Sequence, residues 1–268
     1  MIKVENIYKS FGSAKALNGF GINIKEGEVH ALMGPNGSGK TTALRIIRGD
    51  ILPDRGNITV FNSSDTDRVK ENVAVVTEDR LTVRNFTIFD YMHLYELLYP
   101  AWDGKGFYKN ILQSGLKGKQ RLSELSGGQK TIVMNFLALF SGASVLILDE
   151  PVQHLDPVFR GLISRRISEY AEKPGKAVLI SSHEIYELEE VATDFTIISG
   201  GKMIYSNTVD NAKESHRLLS KEELGEKPFT GKKGSEYLVE NTGEKGRHPN
   251  LKEIVLGYLS NPQNSQEN

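Results

Sequence analysis

Residues 34–42 read Gly-Pro-Asn-Gly-Ser-Gly-Lys-Thr-Thr, a stretch that fits the P-loop pattern GxxxxGK[ST]. Its glycines allow successive backbone N–H groups to turn inward around phosphate oxygens, and the N-terminus of a following helix adds the positive end of its dipole. Lys40 is suited to neutralising the outer phosphates, and Thr41 to holding Mg²⁺. The pattern arises by chance in roughly one random chain of this length in a hundred, so it predicts a phosphate site rather than a mere glycine-rich turn.

The segments on either side of this loop have the spacing that a P-loop requires. Residues 28–33 read as a short buried strand, and residues 41–48 have helical spacing with apolar Leu44, Ile46 and Ile47. The sequence therefore predicts the order strand, glycine loop, helix.

An acidic pair follows a second apolar run. Residues 145–148 are Val-Leu-Ile-Leu, which suits a parallel strand buried on both faces, and Asp149 and Glu150 come directly after them. Ligands bind at the carboxyl ends of such strands. Asp149 is therefore a candidate for the Mg²⁺ shell and Glu150 for accepting a proton from an attacking water, whereas the alternative is two solvated strand-end acids.

Residues 125–129, Leu-Ser-Gly-Gly-Gln, form a second candidate anion site. Ser126 is a good N-cap, the two glycines allow close approach, and residues 130–140 continue as an apolar helix. The alternative is a helix start that happens to be rich in glycine.

These motifs, together with His183, resemble in the right order the nucleotide-binding subunits of ABC (ATP-binding cassette) ATPases. The resemblance extends from about residue 2 to residue 205, and the five-residue signature beside a P-loop is highly specific. It implies an α/β fold: a P-loop NTPase core with a mainly parallel sheet, a small antiparallel β subdomain and an inserted helical subdomain. It also implies ATP and Mg²⁺ as cofactors.

The resemblance assigns roles to individual residues. Catalysis of ATP hydrolysis falls to Glu150, His183 and Lys40, and Mg²⁺ binding to Thr41, Glu78 and Asp149. The nucleotide contacts are Phe11, Gly34, Pro35, Asn36, Gly37, Ser38, Gly39, Lys40, Thr41, Thr42, Ser126, Gly127, Gly128 and Gln129. Phe11 corresponds to the aromatic that stacks on adenine in relatives, although an ordinary core phenylalanine is the alternative.

By the same resemblance, the partners are a second ATPase subunit, in a homodimer or heterodimer, and an integral membrane permease subunit. Ser126 would contact the γ-phosphate of ATP on the opposite subunit. The expected location is the cytoplasmic face of the cell membrane. A soluble ABC ATPase without a transport role is the alternative function.

Two positions depart from the family pattern. Glu78 stands where relatives usually have a glutamine, and it predicts altered Mg²⁺ dependence rather than an inactive site. His154 stands in the segment before Leu155 and Asp156, where small residues are usual. It is either a pH-sensitive contact at the dimer interface or an exposed loop histidine.

The remaining organisation is read more coarsely. The ATPase domain is predicted over residues 1–208, with a helical subdomain over about 85–142, and a C-terminal extension over 209–268. Residues 211–247 are rich in charge and predict loops or a small irregular lobe, and a short terminal helix is expected at about 249–259. This ending, and residues 99–103, resemble bacterial ABC-2-type ATPases, many of which serve exporters of peptides or drugs.

Tyrosines and a tryptophan between residues 91 and 102 have two readings. All four are candidates for the permease contact: Tyr91, Tyr95, Tyr99 and Trp102. Two of them and three leucines could equally form the core of the helical subdomain: Tyr91, Tyr95, Leu94, Leu97 and Leu98.

Composition narrows the class of protein. The chain has 268 residues, 38% of them hydrophobic, which allows one or two globular domains. A net charge of −1 gives no electrostatic case for a nucleic-acid partner. The absence of cysteine excludes disulfides, and no apolar run approaches the roughly 20 residues needed to span a bilayer. If the protein works at a membrane, another polypeptide supplies the spanning segments.

Overall fold

Strand β6 (Val145–Asp149) is buried along its whole length between two parallel neighbours, β5 (Val73–Val76) and β7 (Ala177–Ser181). A run of four apolar residues is what a strand covered on both faces needs. Its register pairs Asp149 with Ser181, so the polar ends of β6 and β7 lie side by side.

The structure is a computed structural model that describes residues 1–61, 72–79, 82–83, 85–182, 185–225, 228–240 and 246–261, without the side chains of residues 186 and 187. Its backbone divides into two compact units. The first comprises Met1, Lys25–Val29 and Phe61–Ser181, and the second comprises Ile2–Ile24, His30–Val60 and Ser182–Asn268.

The first unit contains the sheet β5–β6–β7 and an inserted run of helices. These are α2 (Ile88–Leu98), α3 (Gly104–Gln113), a 3₁₀ turn (Leu122–Glu124), α4 (Gly127–Leu139) and α5 (Pro157–Ala171). Each of the four α-helices begins at a side chain that accepts a hydrogen bond from a backbone N–H of its first turn. The capping residues are Thr87, Asp103, Ser126 and Asp156.

The second unit contains the P-loop and two groups of strands. β1 (Ile2–Phe11) pairs antiparallel with β2 (Ala14–Ile24) and with β4 (Arg55–Val60). β3 (Val29–Met33) pairs parallel with β8 (Asp194–Ser199), and β9 (Lys202–Thr208) pairs antiparallel with β8. Helix α1 (Lys40–Ile47) follows β3, as the sequence predicts.

The C-terminal part of the second unit is more regular than its composition suggests. Helices α6 (Ile185–Glu189), α7 (Val209–Ser215) and α8 (Lys221–Leu224) accompany a three-stranded antiparallel sheet, and α9 (Leu251–Ser260) packs on that sheet. The strands are β10 (His216–Leu219), β11 (Gly231–Lys233) and β12 (Glu236–Glu240). The expectation of loops or an irregular lobe over 211–247 is therefore wrong where the structure describes that segment. Helix α9 covers apolar residues among the charged ones: Leu238 is fully buried, and a Cβ on Gly257 of α9 would lie 2.5 Å from its side chain.

The architecture confirms the predicted α/β class, with parallel strands in both units, a small antiparallel sheet and helices inserted between β5 and β6. The predicted boundary near residue 208 stays a prediction. In the part of the chain that the structure describes, no helix has the length and apolar character required to cross a membrane.

Candidate functional site

The P-loop curves tightly around its own backbone. The Lys40 Nζ donates to the carbonyl oxygens of Gly34, at 2.6 Å, and Pro35, at 3.2 Å. The Gly201 N–H donates to the Ser38 carbonyl at 2.9 Å, which ties the loop to the turn after β8. The ammonium group is thus held beside the loop, the position that phosphate neutralisation requires.

Two glycines of this loop are required by close packing within the second unit. A Cβ on Gly34 would collide with the carbonyl oxygen of Ile198, and a Cβ on Gly39 would lie 2.6 Å from the carbonyl oxygen of Ala16. Gly39 also has a φ of 107°, which side chains rarely adopt. The glycines predicted to approach phosphate therefore also allow the loop to lie against its own unit.

The N-terminus of α1 differs from those of α2 to α5. Its N-cap is Gly39, no side chain caps it, and no acidic residue lies in its first turn. The first backbone N–H groups of a helix need acceptors, and a phosphate supplies them. The Ser38 Oγ is buried and has no hydrogen-bond partner among the described residues. An uncapped helix start beside an unsatisfied hydroxyl fits a bound phosphate group.

The other nucleotide-contact candidates of this loop lie at its surface. Pro35, Asn36, Gly37 and Thr41 are exposed, and Thr42 is half-buried. They are therefore open to a ligand from solvent.

The acidic pair lies at the carboxyl end of β6 in the first unit. Both side chains are buried, with 8% of Asp149 and 4% of Glu150 exposed. The Ser181 hydroxyl donates to Oδ1 of Asp149, and the Glu150 N–H donates to the Ser181 carbonyl at 2.9 Å. Glu150 also has a φ of 54°, a conformation uncommon for a residue with a side chain and found disproportionately at functional sites. A carboxylate fixed by a neighbouring hydroxyl suits metal binding, and its buried neighbour suits proton transfer.

The signature residues begin helix α4 at the surface of the first unit. The Ser126 Oγ accepts from the Gln129 N–H at 3.2 Å, and the Gln129 Oε1 accepts from the Ser126 N–H at 3.0 Å, which is a complete capping box. Ser126 and Gly127 are exposed, and Gly128 is half-buried. The Ser126 hydroxyl hydrogen is not used by the capping bond, so it remains a donor for an anion.

Four other predicted positions have different outcomes. Phe11 is 51% exposed at the end of β1, so the alternative of a core phenylalanine is wrong. Glu78 is exposed after β5, and His154 is exposed with a φ of 65°. His183 lies outside the described residues, and its role stays a prediction.

The aromatic residues of the helical subdomain are largely packed together. Tyr91 is buried, and its hydroxyl accepts from the Val83 N–H at 2.7 Å. Tyr95 stacks on Tyr99 with 5.2 Å between ring centroids, and burial raises the pKa of Tyr95. The core interpretation therefore holds for Tyr91.

The leucines at the end of α2 do not share that packing. Leu97 is 72% exposed and Leu98 is 58% exposed, so the alternative of core packing is wrong for these two residues. They lie in the last turn of α2, beyond the reach of the buried face.

Sequence reasoning missed three polar residues that contact the predicted site. Ser181 is the partner of Asp149, and Thr131 and Asn135 are buried in α4 with hydrogen bonds to the segment after Glu150. The sequence did contain a signal for Thr131 and Asn135. They are polar residues four positions apart in an otherwise apolar helix, and this spacing places them on one face.

The chain is similar to known proteins over most of its length. The family model described as ABC transporter matches residues 17–153, just over half of the chain. The lantibiotic transport ATP-binding protein SrtF of Streptococcus pyogenes is 29% identical over 229 residues, which cover 85% of this chain and 99% of that protein. The sulfate/thiosulfate import ATP-binding protein CysA of Pectobacterium atrosepticum is 34% identical, over 75% of this chain and 64% of that protein.

A solved structure has the same fold. The dimeric structure of MJ0796, a bacterial ABC transporter cassette, superimposes with a TM-score of 0.69 over 78% of this chain and 98% of that one, at 24% identity. Identity at this level establishes the fold alone. The family match establishes more: the chain belongs to the ABC transporter family, as an ATP-binding, ATP-hydrolysing subunit that uses ATP with Mg²⁺.

Proposed function

We propose that the chain powers a bacterial transporter by hydrolysing ATP at the cytoplasmic face of the membrane, bound to a separate integral membrane permease. The observation that carries the proposal is the N-terminus of α1, which has neither a side-chain cap nor an acidic residue in its first turn, beside the orphaned hydroxyl of Ser38. Such a helix start is prepared for an anion, and the Lys40 ammonium lies beside it.

The proposed cargo is a peptide, drug or similar molecule that is exported. Family membership by itself sets no direction, because SrtF is named for lantibiotic transport and CysA for sulfate/thiosulfate import. The match to SrtF covers nearly the whole of that protein and supports a peptide-like cargo. Support for export comes from the Nod factor export ATP-binding protein I of Burkholderia orbicola, which is 30% identical over 76% of this chain and 69% of that protein.

The residues have the following proposed roles. Lys40 and His183 stabilise charge on the γ-phosphate, Glu150 accepts the proton of the attacking water, and Phe11 stacks on adenine. Thr41, Asp149 and Glu78 hold Mg²⁺, which neutralises phosphate charge when it is bound. We propose that Ser126 of the partner subunit completes each site in a head-to-tail dimer, so that ATP binding closes the dimer and hydrolysis reopens it.

Glu150→Gln tests the chemistry. We expect this variant to lose about 100-fold or more in kcat, because an amide cannot accept the proton, and to accumulate an ATP-bound dimer in size-exclusion chromatography. Glu172→Gln, an exposed glutamate at the end of α5, is the control. Wild-type turnover by Glu150→Gln would remove Glu150 from the catalytic role.

Membrane association tests the transport role. The tagged chain is expressed in its native host, membranes are separated, and proteins that co-purify in mild detergent are identified. A polytopic membrane protein is the expected partner. A chain found only in the soluble fraction, with ribosomes, DNA or assembly factors, would establish the alternative of a non-transport ABC ATPase.

A further inference from the structure

Residues 150–155 form a short, strained segment. Two of its residues with side chains, Glu150 and His154, have positive φ values of 54° and 65°. Two tight turns shape it, because the Gln153 N–H donates to the Glu150 carbonyl at 3.3 Å and the Leu155 N–H to the Val152 carbonyl at 3.2 Å. Such conformations persist only where the surroundings hold them.

Two side chains of α4 hold this segment. The Asn135 Nδ2 donates both of its hydrogens, one to the Pro151 carbonyl at 2.7 Å and one to the Thr131 carbonyl at 2.8 Å. The Thr131 hydroxyl shares its hydrogen between the Gln153 carbonyl, at 3.2 Å, and the Gly127 carbonyl, at 3.0 Å. Backbone groups at 151 and 153 are thus attached to the helix that the signature residues begin.

Burying these two polar side chains costs desolvation free energy, which their hydrogen bonds to the segment offset only in part. Thr131 and Asn135 are fully buried in a helix whose neighbouring residues Ile132, Val133 and Phe136 are buried and apolar. The Asn135 Oδ1 has no hydrogen-bond partner among the described residues, so its desolvation is not compensated. Apolar side chains of similar size would avoid that cost, but they would remove the donors that Thr131 and Asn135 give to the carbonyls of residues 153 and 151.

The same segment also touches the signature residues directly. A Cβ on Gly128 would lie 2.7 Å from the His154 carbonyl oxygen, and a Cβ on Gly127 would lie 3.6 Å from Cδ2 of the His154 ring. Only glycine at position 128 permits this approach. The segment 150–155 and the start of α4 therefore form one packed body in the first unit.

We propose that Thr131 and Asn135 are positioning residues that lock the segment 150–155 to helix α4. By holding the segment 150–155 against the start of α4, they fix the position of Glu150 in the segment and of Ser126 at the start of the helix. The inference rests on the proposed roles of those two residues. In a head-to-tail dimer, Glu150 serves one nucleotide and Ser126 serves the other, so a shift at one site reaches the second through these hydrogen bonds.

Paired substitutions test this proposal. Thr131→Val and Asn135→Leu remove the donors while keeping the side-chain size, Thr131→Ser restores the hydroxyl, and Asn110→Leu is the control. Asn110 is buried in α3, where its Nδ2 donates to the Gly106 carbonyl at 2.8 Å and its Oδ1 accepts from Arg166 of α5 at 3.3 Å. Its loss therefore removes none of the hydrogen bonds described above for residues 150–155. Each variant is assayed for kcat, for KM, and for the number of ATP molecules bound per chain in the presence of Mg²⁺.

We expect kcat to fall about 10-fold or more in Thr131→Val and Asn135→Leu, with KM and binding stoichiometry within about two-fold of wild type, because the general base is misplaced while the P-loop is intact. Thr131→Ser should recover most of the rate. Amide hydrogen exchange should accelerate in the peptide covering 150–155, and it should not do so in Asn110→Leu.

Unchanged kcat and unchanged exchange in both folded variants would overturn the proposal. An equal loss in Asn110→Leu would overturn it too, since general destabilisation would then explain the effect. Hydrogen exchange measures how firmly residues 150–155 are attached to helix α4, and this measurement does not depend on ATP hydrolysis. A wild-type rate in Glu150→Gln would therefore remove Glu150 from its proposed catalytic role separately, whatever the exchange of Thr131→Val shows.

Discussion

The Ser181 hydroxyl donates a hydrogen bond to Oδ1 of Asp149, across the carboxyl ends of the adjacent parallel strands β7 and β6. Ser181 is fully buried and Asp149 nearly so. The bond fixes the carboxylate plane, and residues that hold metal ligands in this way commonly contribute to metal affinity. The orientation of the proposed Mg²⁺ ligand is therefore set by the neighbouring strand.

Ser181→Ala should weaken Mg²⁺ binding. We expect the Mg²⁺ concentration for half-maximal ATPase activity to rise about 10-fold, because the carboxylate of Asp149 loses the hydroxyl that orients it. The measurement is a Mg²⁺ titration of steady-state ATPase activity at saturating ATP. Ser164→Ala, which removes a buried serine hydroxyl in α5, is the control. Superimposable titrations for Ser181→Ala and wild type would contradict the prediction.

Gly128→Ala should destabilise the first unit. The new methyl group would lie 2.7 Å from the His154 carbonyl oxygen, and such overpacking typically costs about 1–3 kcal/mol. Gly161→Ala in α5 is the matched change, because a Cβ there meets nothing within 4 Å and alanine favours a helix by up to about 1 kcal/mol. Urea unfolding compares the two. Equal free energies of unfolding for Gly128→Ala and Gly161→Ala would contradict the prediction, because the segment after Glu150 would then have moved to accommodate the methyl group.

Glu78→Gln should change how ATPase activity depends on Mg²⁺. In the proposed site, the Glu78 carboxylate would add a negative charge beside the phosphates and an oxygen ligand of the kind that Mg²⁺ prefers, and the amide would keep the oxygen without the charge. We expect the titration midpoint to shift while kcat at saturating Mg²⁺ stays within about ten-fold of wild type. Identical curves for Glu78→Gln and wild type would remove Glu78 from the metal site.

Glu253 should make stability depend on pH at the acidic end. The Arg247 guanidinium donates to both oxygens of Glu253, at 2.7 and 2.9 Å, and Lys233 Nζ donates at 2.7 Å. Mainly through Arg247, these contacts lower the pKa of Glu253 from its ordinary 4.5 to about 2. The stabilisation is therefore present above about pH 4.5 and is lost as the pH falls toward 2.

Glu253→Gln tests this dependence by urea unfolding at a series of acidic pH values. The variant should be less stable than wild type at neutral pH, and the difference should shrink as the pH falls through that window, because protonated Glu253 loses the same contacts. Glu222→Gln, an exposed glutamate of the same lobe, is the control. A difference independent of pH would mean that the Arg247 contact does not act through charge.

Local sequence patterns predicted the elements whose signals are themselves local. Strand β6 follows from four consecutive apolar residues, and helix α4 from the Ser126 cap and the apolar residues that follow it. The lobe after residue 208 was missed, because its strands are short and charged and become regular only when α9 covers them. The sequence left open whether Leu97 and Leu98 belong to the core, since exposure depends on what lies opposite and not on the residue type.

The sequence by itself determined the chemical groups of this protein: a phosphate loop, an acidic pair, a capped signature helix and the family to which they belong. Motif and spacing suffice there because each group works through its own backbone or side chain. The tertiary structure decided which groups touch. Ser181 meets Asp149 only because β6 and β7 are in register, and Asn135 meets Pro151 only because α4 packs beneath the strained segment. Contacts between residues distant in the chain depend on packing, and no local pattern encodes them.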